Sequence, residues 1–357
     1  MRIAPTSRRL GLLGVLLLAP ALAQSHHSFF GRFDRQSMIE VEGDVVDLIW
    51  RNPHAYFTLR SRDPAGAPVD WEVETSSLSV MRRLGIADGT IKVGDHLRIA
   101  GFPPVTEKKE IYVRHVLLPD GRELLMDTDL KPRWSDRTVG QDSVLSIREG
   151  DPSRPDLGIF RIWSFVRSAH RLFPEAVDPA FDVQSYPMTD AARAALADFD
   201  LANQNPTGRC MPKGMPTVME QPYPLKFEQR ADGNIVLELE EYDLERTIYM
   251  RPETAPRAPE PTPLGFSLGR WDGTALVVTT TRVSWPFFSQ VGIPQSEAVE
   301  IVERFAPTGD GSRLDYEVTV TDPATFTEPV NLHAYWIWIP EVELLPYECA
   351  LRSAEAE

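Results

Sequence analysis

Three histidines carry the densest chemical signal in this chain. His26 and His27 stand side by side in His26-His27-Ser28-Phe29, with Asp34 a few residues on, and His54 closes the segment Asn52-Pro53-His54. Neutral imidazole nitrogens are good ligands for Cu or Zn, and three of them make a small metal site if the chain brings them together. The plainer reading is a histidine tail plus one hydrogen-bonded loop histidine. A second set of groups lies near the C-terminus. Within Glu297–Phe305, strand alternation puts Glu303 on the same face as Val299, Ile301 and Phe305. Asp322 follows Leu314, Tyr316, Val318 and Val320 in the same register, and His333 stands beside Tyr335, Trp336 and Trp338. A carboxylate turned into an apolar interior is desolvated and its pKa rises, which suits it to proton transfer. Glu303, Asp322 and His333 are therefore the candidate catalytic residues. Arg270, Trp271, Arg304 and Trp336 are the candidate ligand contacts, although Arg270 and Arg304 could equally neutralise the acids as structural ion pairs.

Other chemistries are missing. The chain has no Gly-x-Ser-x-Gly elbow, no Walker loop, no dinucleotide glycine motif at a strand-to-helix turn and no His-Glu-x-x-His. With no Cys-x-x-Cys pair, a thiolate zinc site or a thioredoxin-like motif is excluded too.

The elements that must position these residues are mostly strands. Met38–Trp50 alternates about Val41, Gly43 and Val45; Ala55–Arg60, Val69–Glu74, His96–Gly101 and Ile111–Leu118 continue the pattern, with a short helix expected over Ser77–Leu84 and stopped by Gly85. Three strands, a helix and two strands is the order of an OB-like barrel, whose first loops border its usual ligand face. Residues 122–158 read as a linker. Thr189–Ala202 is the one clear longer helix, capped by Thr189. From Leu225 to Leu351 short strands alternate with turns at Asp232-Gly233, Asp272-Gly273-Thr274 and Gly309-Asp310-Gly311. The expected fold is mainly β: an N-terminal OB-like barrel over 26–121, then a larger antiparallel up-and-down, lipocalin-like barrel with one helix over 159–351. Closure removes exposed edges.

Composition limits the partners. The 357 residues are 42% hydrophobic and 25% charged, an ordinary globular mixture, with 52 acids against 37 basic residues and a net charge of −15. Nucleic acid is a poor partner for so negative a chain. Met1–Arg9 carries Arg2, Arg8 and Arg9, Leu10–Leu18 is apolar, and small residues follow, as in a secretory signal over residues 1–25. Removing it, by cleavage after Ala23 or Ser25, leaves no membrane-spanning segment and takes the charge to −18, since only those three arginines are lost. The expected location is exported, periplasmic or secreted. Export gives the two cysteines a meaning: Cys210 and Cys349 form a disulfide, or else stay as two buried thiols.

His26–Phe29, Phe33-Asp34 and Asn52–His54 together resemble an exported bacterial family of unknown function, in its long two-domain form. Later segments, including Arg209-Cys210-Met211-Pro212 and Glu348-Cys349, resemble it as well. The resemblance implies no activity. The leading expectation is thus an exported protein that binds a small, largely apolar molecule in its second barrel. Its rivals are an acid/base enzyme acting on such a molecule and a Cu- or Zn-binding protein.

Overall fold

The computed structural model describes residues 32–127, 130–140, 157–165, 172–178, 181–204, 210–220, 223–338 and 342–349. Seven strands form the first sheet: β1 (Ile39–Ile49), β2 (Tyr56–Arg62), β3 (Pro68–Glu74), β4 (His96–Phe102), β5 (Glu110–Leu117), β6 (Glu123–Leu125) and β7 (Thr138–Val139). Their order is β3-β2-β1-β4-β5-β6-β7, and a further β3–β5 pairing closes the first five into a barrel. With helix α1 (Leu78–Arg83) between β3 and β4, this is the OB arrangement. The alternation about Val41, Gly43 and Val45 turns those three inward. Closure needs tight bends, and glycine supplies them. A Cβ on Gly43 would lie 2.3 Å from the Arg60 carbonyl oxygen, and one on Gly101 2.2 Å from that of Tyr112. α1 starts where the sequence suggests, with Ser77 accepting from the Val80 amide, and Gly85 ends it at φ +73°.

The sheet does not stop at residue 121. Strands β6 and β7 extend it, because Glu123, fully buried, gathers the chain that follows. Its carboxylate accepts from the amides of Arg133, Trp134 and Ser135 and lies 2.8 Å from His115 Nδ1. Burial works against its charge, but those donors win and hold its pKa below the ordinary carboxylate value.

The second unit is a closed barrel of β8 (Ile162–Phe165), β9 (Leu225–Gln229), β10 (Ile235–Leu239), β11 (Leu244–Tyr249), β12 (Phe266–Asp272), β13 (Ala275–Thr281), β14 (Glu300–Pro307), β15 (Arg313–Thr321) and β16 (Val330–Trp338). The ring runs β10 through β16 in order, then β8 and β9. Up-and-down order therefore needs one correction. An odd number of strands cannot alternate direction all the way round, and the mismatch falls between β11 and β12, which pair in parallel at Ile248–Ser267 and Tyr249–Leu268. The Pro-rich stretch from Pro252 to Pro263 is the crossover such a pair requires. Two further expectations change. The long helix is two, Asp190–Ala197 and Leu201–Gln204, and residues 345–349 form no strand.

Aromatic rings outside the strands join the core of this barrel: Phe288 meets Phe173, Tyr186 and Phe326 edge to face at 5.3, 5.4 and 4.8 Å. Glu175 is buried among them, accepting from the Tyr186 hydroxyl at 2.9 Å. Burial raises its pKa above 4.5. The folded protein thus holds this proton more tightly than the unfolded chain, so the stability it confers is complete below pH 4.5 and is lost as pH rises through the raised value. Glu175→Gln cannot ionise. Its melting temperature, measured against wild type from pH 4 upward, is expected to gain on wild type as pH increases; parallel curves would refute this account.

Candidate functional site

The seam that closes the first barrel is also its most charged feature. Parallel pairing of β3 with β5 sets Glu72 beside Glu110 and Glu74 beside Tyr112, while β2 sets Tyr56 opposite Glu74. Arg32 lies across this seam. Its Nη1 donates to Glu74 at 2.8 Å, its Nε and Nη2 reach Glu110 at 3.1 and 3.0 Å, and Glu72 is 3.7 Å away. Burial opposes the Arg32 charge, yet Glu74 and Glu110 more than offset it and push its pKa up. Burial first, and then the Glu74 charge, push the Tyr56 hydroxyl well above its usual value.

His54 joins the cluster from the β1–β2 loop. Its Nδ1 is 2.7 Å from the Thr75 carbonyl oxygen and 3.1 Å from Glu74 Oε1. A carbonyl oxygen can only accept, so Nδ1 carries a proton, and in the neutral ring the lone pair is on Nε2. The ring stands 6.4 Å from both Tyr56 and Tyr112, and its side chain is 27% exposed. Nε2 has no partner among the described residues. A ring fixed through Nδ1 by a carbonyl and a carboxylate, with Nε2 open, is how proteins commonly orient a metal-ligating histidine. One such ring is not yet a site: among the described residues no three His, Cys, Asp or Glu side chains are placed to hold a metal ion. His26 and His27 lie outside the described residues.

The neighbouring residues of the same loop have a different job. Asn52, 1% exposed, donates to Glu240 Oε1 and to the Pro346 carbonyl oxygen, both at 3.3 Å, and accepts from the Leu78 amide at 3.0 Å. The Pro53 carbonyl accepts from the Tyr223 hydroxyl at 3.4 Å, Ser79 donates to Glu240, and Arg83 to Ser164. The loop expected to face a ligand is thus half given over to docking the two barrels, and only His54 of the three is turned to the seam.

The residues expected to act in the second barrel lie apart, each with its own partners. Glu303 points inward and is fully buried, but both its oxygens are bonded to Arg246, which also binds Ser267 and Thr280. The Tyr316 hydroxyl donates to the same carboxylate at 2.9 Å. Arg246, Ser267, Thr280 and Tyr316 thus bond with Glu303 in one buried group. Asp322 is a turn-holding acceptor for the Ser296 amide and hydroxyl at 2.7 and 2.6 Å and for the Thr325 hydroxyl at 2.8 Å. His333 is exposed on the outer face, opposite Glu317.

The ligand contacts scatter likewise. Trp336 is buried against Tyr316, Arg270 is exposed, and Arg304 makes a surface ion pair with Asp272 at 2.7 Å. Trp271 is 42% exposed at the barrel rim, 6.1 Å from Phe160. Sequence reading missed Arg32, Glu74 and Glu110. The alternating acids of Asp70-Trp71-Glu72-Val73-Glu74 were a signal that one strand face gathers negative charge and needs a cation. Cys210 and Cys349 are joined in a disulfide.

These features define a class: an OB-like barrel with an oriented, half-open histidine at its seam, docked on a nine-stranded barrel. Residues 15–110 match the model of a family of unknown function (DUF6152), a stretch that takes in His26, His27 and the whole cluster from Arg32 to Glu110. The match ends before the second barrel. No curated protein matches the chain.

Proposed function

We propose that this is an exported Cu- or Zn-binding protein whose metal is held at the seam of the first barrel by His54 with His26 and His27. The observation that carries this reading is the shared carboxylate: Glu74 orients His54 through one oxygen and holds Arg32 through the other. Arg32 is only five residues beyond His27, a stretch that spans at most about 18 Å when extended. The chain leading back to the paired histidines is therefore anchored beside the open nitrogen they would need to join. Export is supported by the leader-like residues 1–25 and by the disulfide, and no helix among the described residues is long and apolar enough to cross a membrane.

A role for the second barrel as container of a small apolar molecule has less support. Trp163, Phe227, Phe305, Tyr316 and Trp336, none more than 1% exposed, are buried in it together with the Arg246–Glu303 pair. Among the described residues there, Glu303, Asp322 and His333 do not converge. The second barrel then serves to hold the Asn52-Pro53-His54 loop in place.

Titration of Cu and Zn into the protein beginning at residue 26 tests the proposal. His54→Ala is expected to weaken binding by about tenfold or more, the usual order for loss of a metal-orienting or ligating group. Affinity should also fall below the ordinary histidine pKa of about 6.5 as protons compete for the ring nitrogens. Equal affinity in the two proteins, at the level of a free His-His peptide, would leave only a histidine tail.

A further inference from the structure

The last described segment, residues 342–349, has no regular secondary structure and lies across the joint between the barrels. The Leu345 amide donates to Glu240 Oε2 at 2.9 Å, and the Tyr347 amide to both oxygens of Asp243 at 3.3 Å. The Pro346 carbonyl oxygen accepts from Asn52. The Tyr347 ring packs 5.4 Å from Tyr223 and 4.6 Å from Tyr242. Glu240, 1% exposed, is the centre of the joint: Oε1 takes Ser79 and Asn52 of the first barrel, Oε2 takes the strap. One buried carboxylate therefore needs both partners at once. If the strap leaves, Oε2 and one Asn52 donor contact lose their partners, and a buried group so deprived favours separation of the surfaces that hide it.

Hydrogen bonds alone hold such a strap poorly. Ordering eight irregular residues costs more than a few backbone contacts return. What fixes it is Cys349, bonded to Cys210 across 139 residues of sequence. Both cysteines are half-buried, and neither belongs to a strand of the barrel.

We infer that the Cys210–Cys349 disulfide is a redox latch on the joint between the two barrels, opened by a dithiol reductant. A thiolate of the reductant attacks one sulfur and expels the other as a thiolate, which takes up a proton. The reductant's second thiol, as thiolate, then attacks the reductant's own sulfur in the mixed disulfide and expels the remaining cysteine as a thiolate, which is protonated in turn. Two cysteine thiols remain, and the reductant is oxidised to its own disulfide. Freed at Cys349, the strap lifts from Glu240 and Asp243, and the Asn52–Glu240 contact opens while the nine-stranded ladder stays closed. This inference does not depend on metal binding.

Hydrogen exchange of the full protein, oxidised and then reduced with dithiothreitol until two thiols are counted, tests it. The amides of Leu345 and Tyr347, and of Leu78 bonded to Asn52, are expected to exchange about tenfold faster or more on reduction, as a local opening would give. Those of Ile301 and Val318, inside the barrel ladder, should not change. Cys349→Ser should reproduce the reduced pattern, and reoxidation of wild type should reverse it. Unchanged Leu78, Leu345 and Tyr347 with both thiols free would overturn the latch. Faster exchange throughout the barrel strands would overturn it as well, because the disulfide would then be a staple of the barrel itself.

Discussion

Replacing Glu303 by alanine is expected to destabilise the second barrel by about 3–5 kcal/mol, the usual cost of leaving one partner of a buried ion pair alone. For a unit of this size that lowers the melting temperature by roughly 6–20 °C, taking about 2–4 °C per kcal/mol. The cost arises less from the lost contact than from what remains. The Arg246 guanidinium, 2% exposed, would keep only the Ser267 and Thr280 hydroxyls, which carry no charge to balance it. The Tyr316 hydroxyl would lose its acceptor in the same step. Removing both charges together should recover most of the loss, since apolar side chains of similar volume often replace a buried pair at little cost. The measurement is thermal unfolding of Glu303→Ala, Arg246→Met and the double variant Arg246→Met with Glu303→Leu. A double variant as unstable as Glu303→Ala would mean that the pair is not a self-contained unit. A Glu303→Ala protein as stable as wild type would show that the anion is dispensable to the fold, and would reopen a role for it in chemistry.

The same residues show what the sequence could and could not disclose. Alternation placed Glu303 on the inward face because period two is a local property of a strand, readable from Val299 to Phe305. Its partner was not readable. Arg270 and Arg304 were the obvious cations, one in β12 and one in Glu303's own strand, but both lie outside while Arg246 reaches across the interior from β11. Which strands face each other across a barrel depends on how many strands close it, and the count turned on β8, more than fifty residues before β9. The first barrel was more legible, since its strands, helix and turns are local signals. Its site was half legible. His54 stood out by residue type, whereas Arg32, Glu74 and Glu110 come together only when β3 pairs with β5, a long-range closure that no local pattern encodes. Asn52 looked like part of a ligand loop, and its partners Glu240 and Pro346 lie 188 and 294 residues away.

Phe305→Ala is expected to cost about 3–5 kcal/mol, as large-to-small changes at fully buried aromatic positions do. Phe305 is fully buried and sits among three rings, with centroids 5.1 Å from Phe227, 4.9 Å from Tyr316 and 6.5 Å from Trp336. None of these can close the gap without leaving its own contacts: Tyr316 is tied to Glu303, and Trp336 lies in a strand paired on both sides. A cavity should therefore persist, and an apolar cavity of that kind takes up small aromatic molecules. The variant bears directly on what the barrel is for. If wild type is filled by its own side chains, benzene or a similar probe should leave its melting temperature unchanged and raise that of Phe305→Ala, because a ligand that binds only the folded state stabilises it by mass action. Stabilisation of wild type by the same probe would point instead to a space the packed rings do not fill. The small-molecule container would then displace the N-terminal metal site as the better account of the protein.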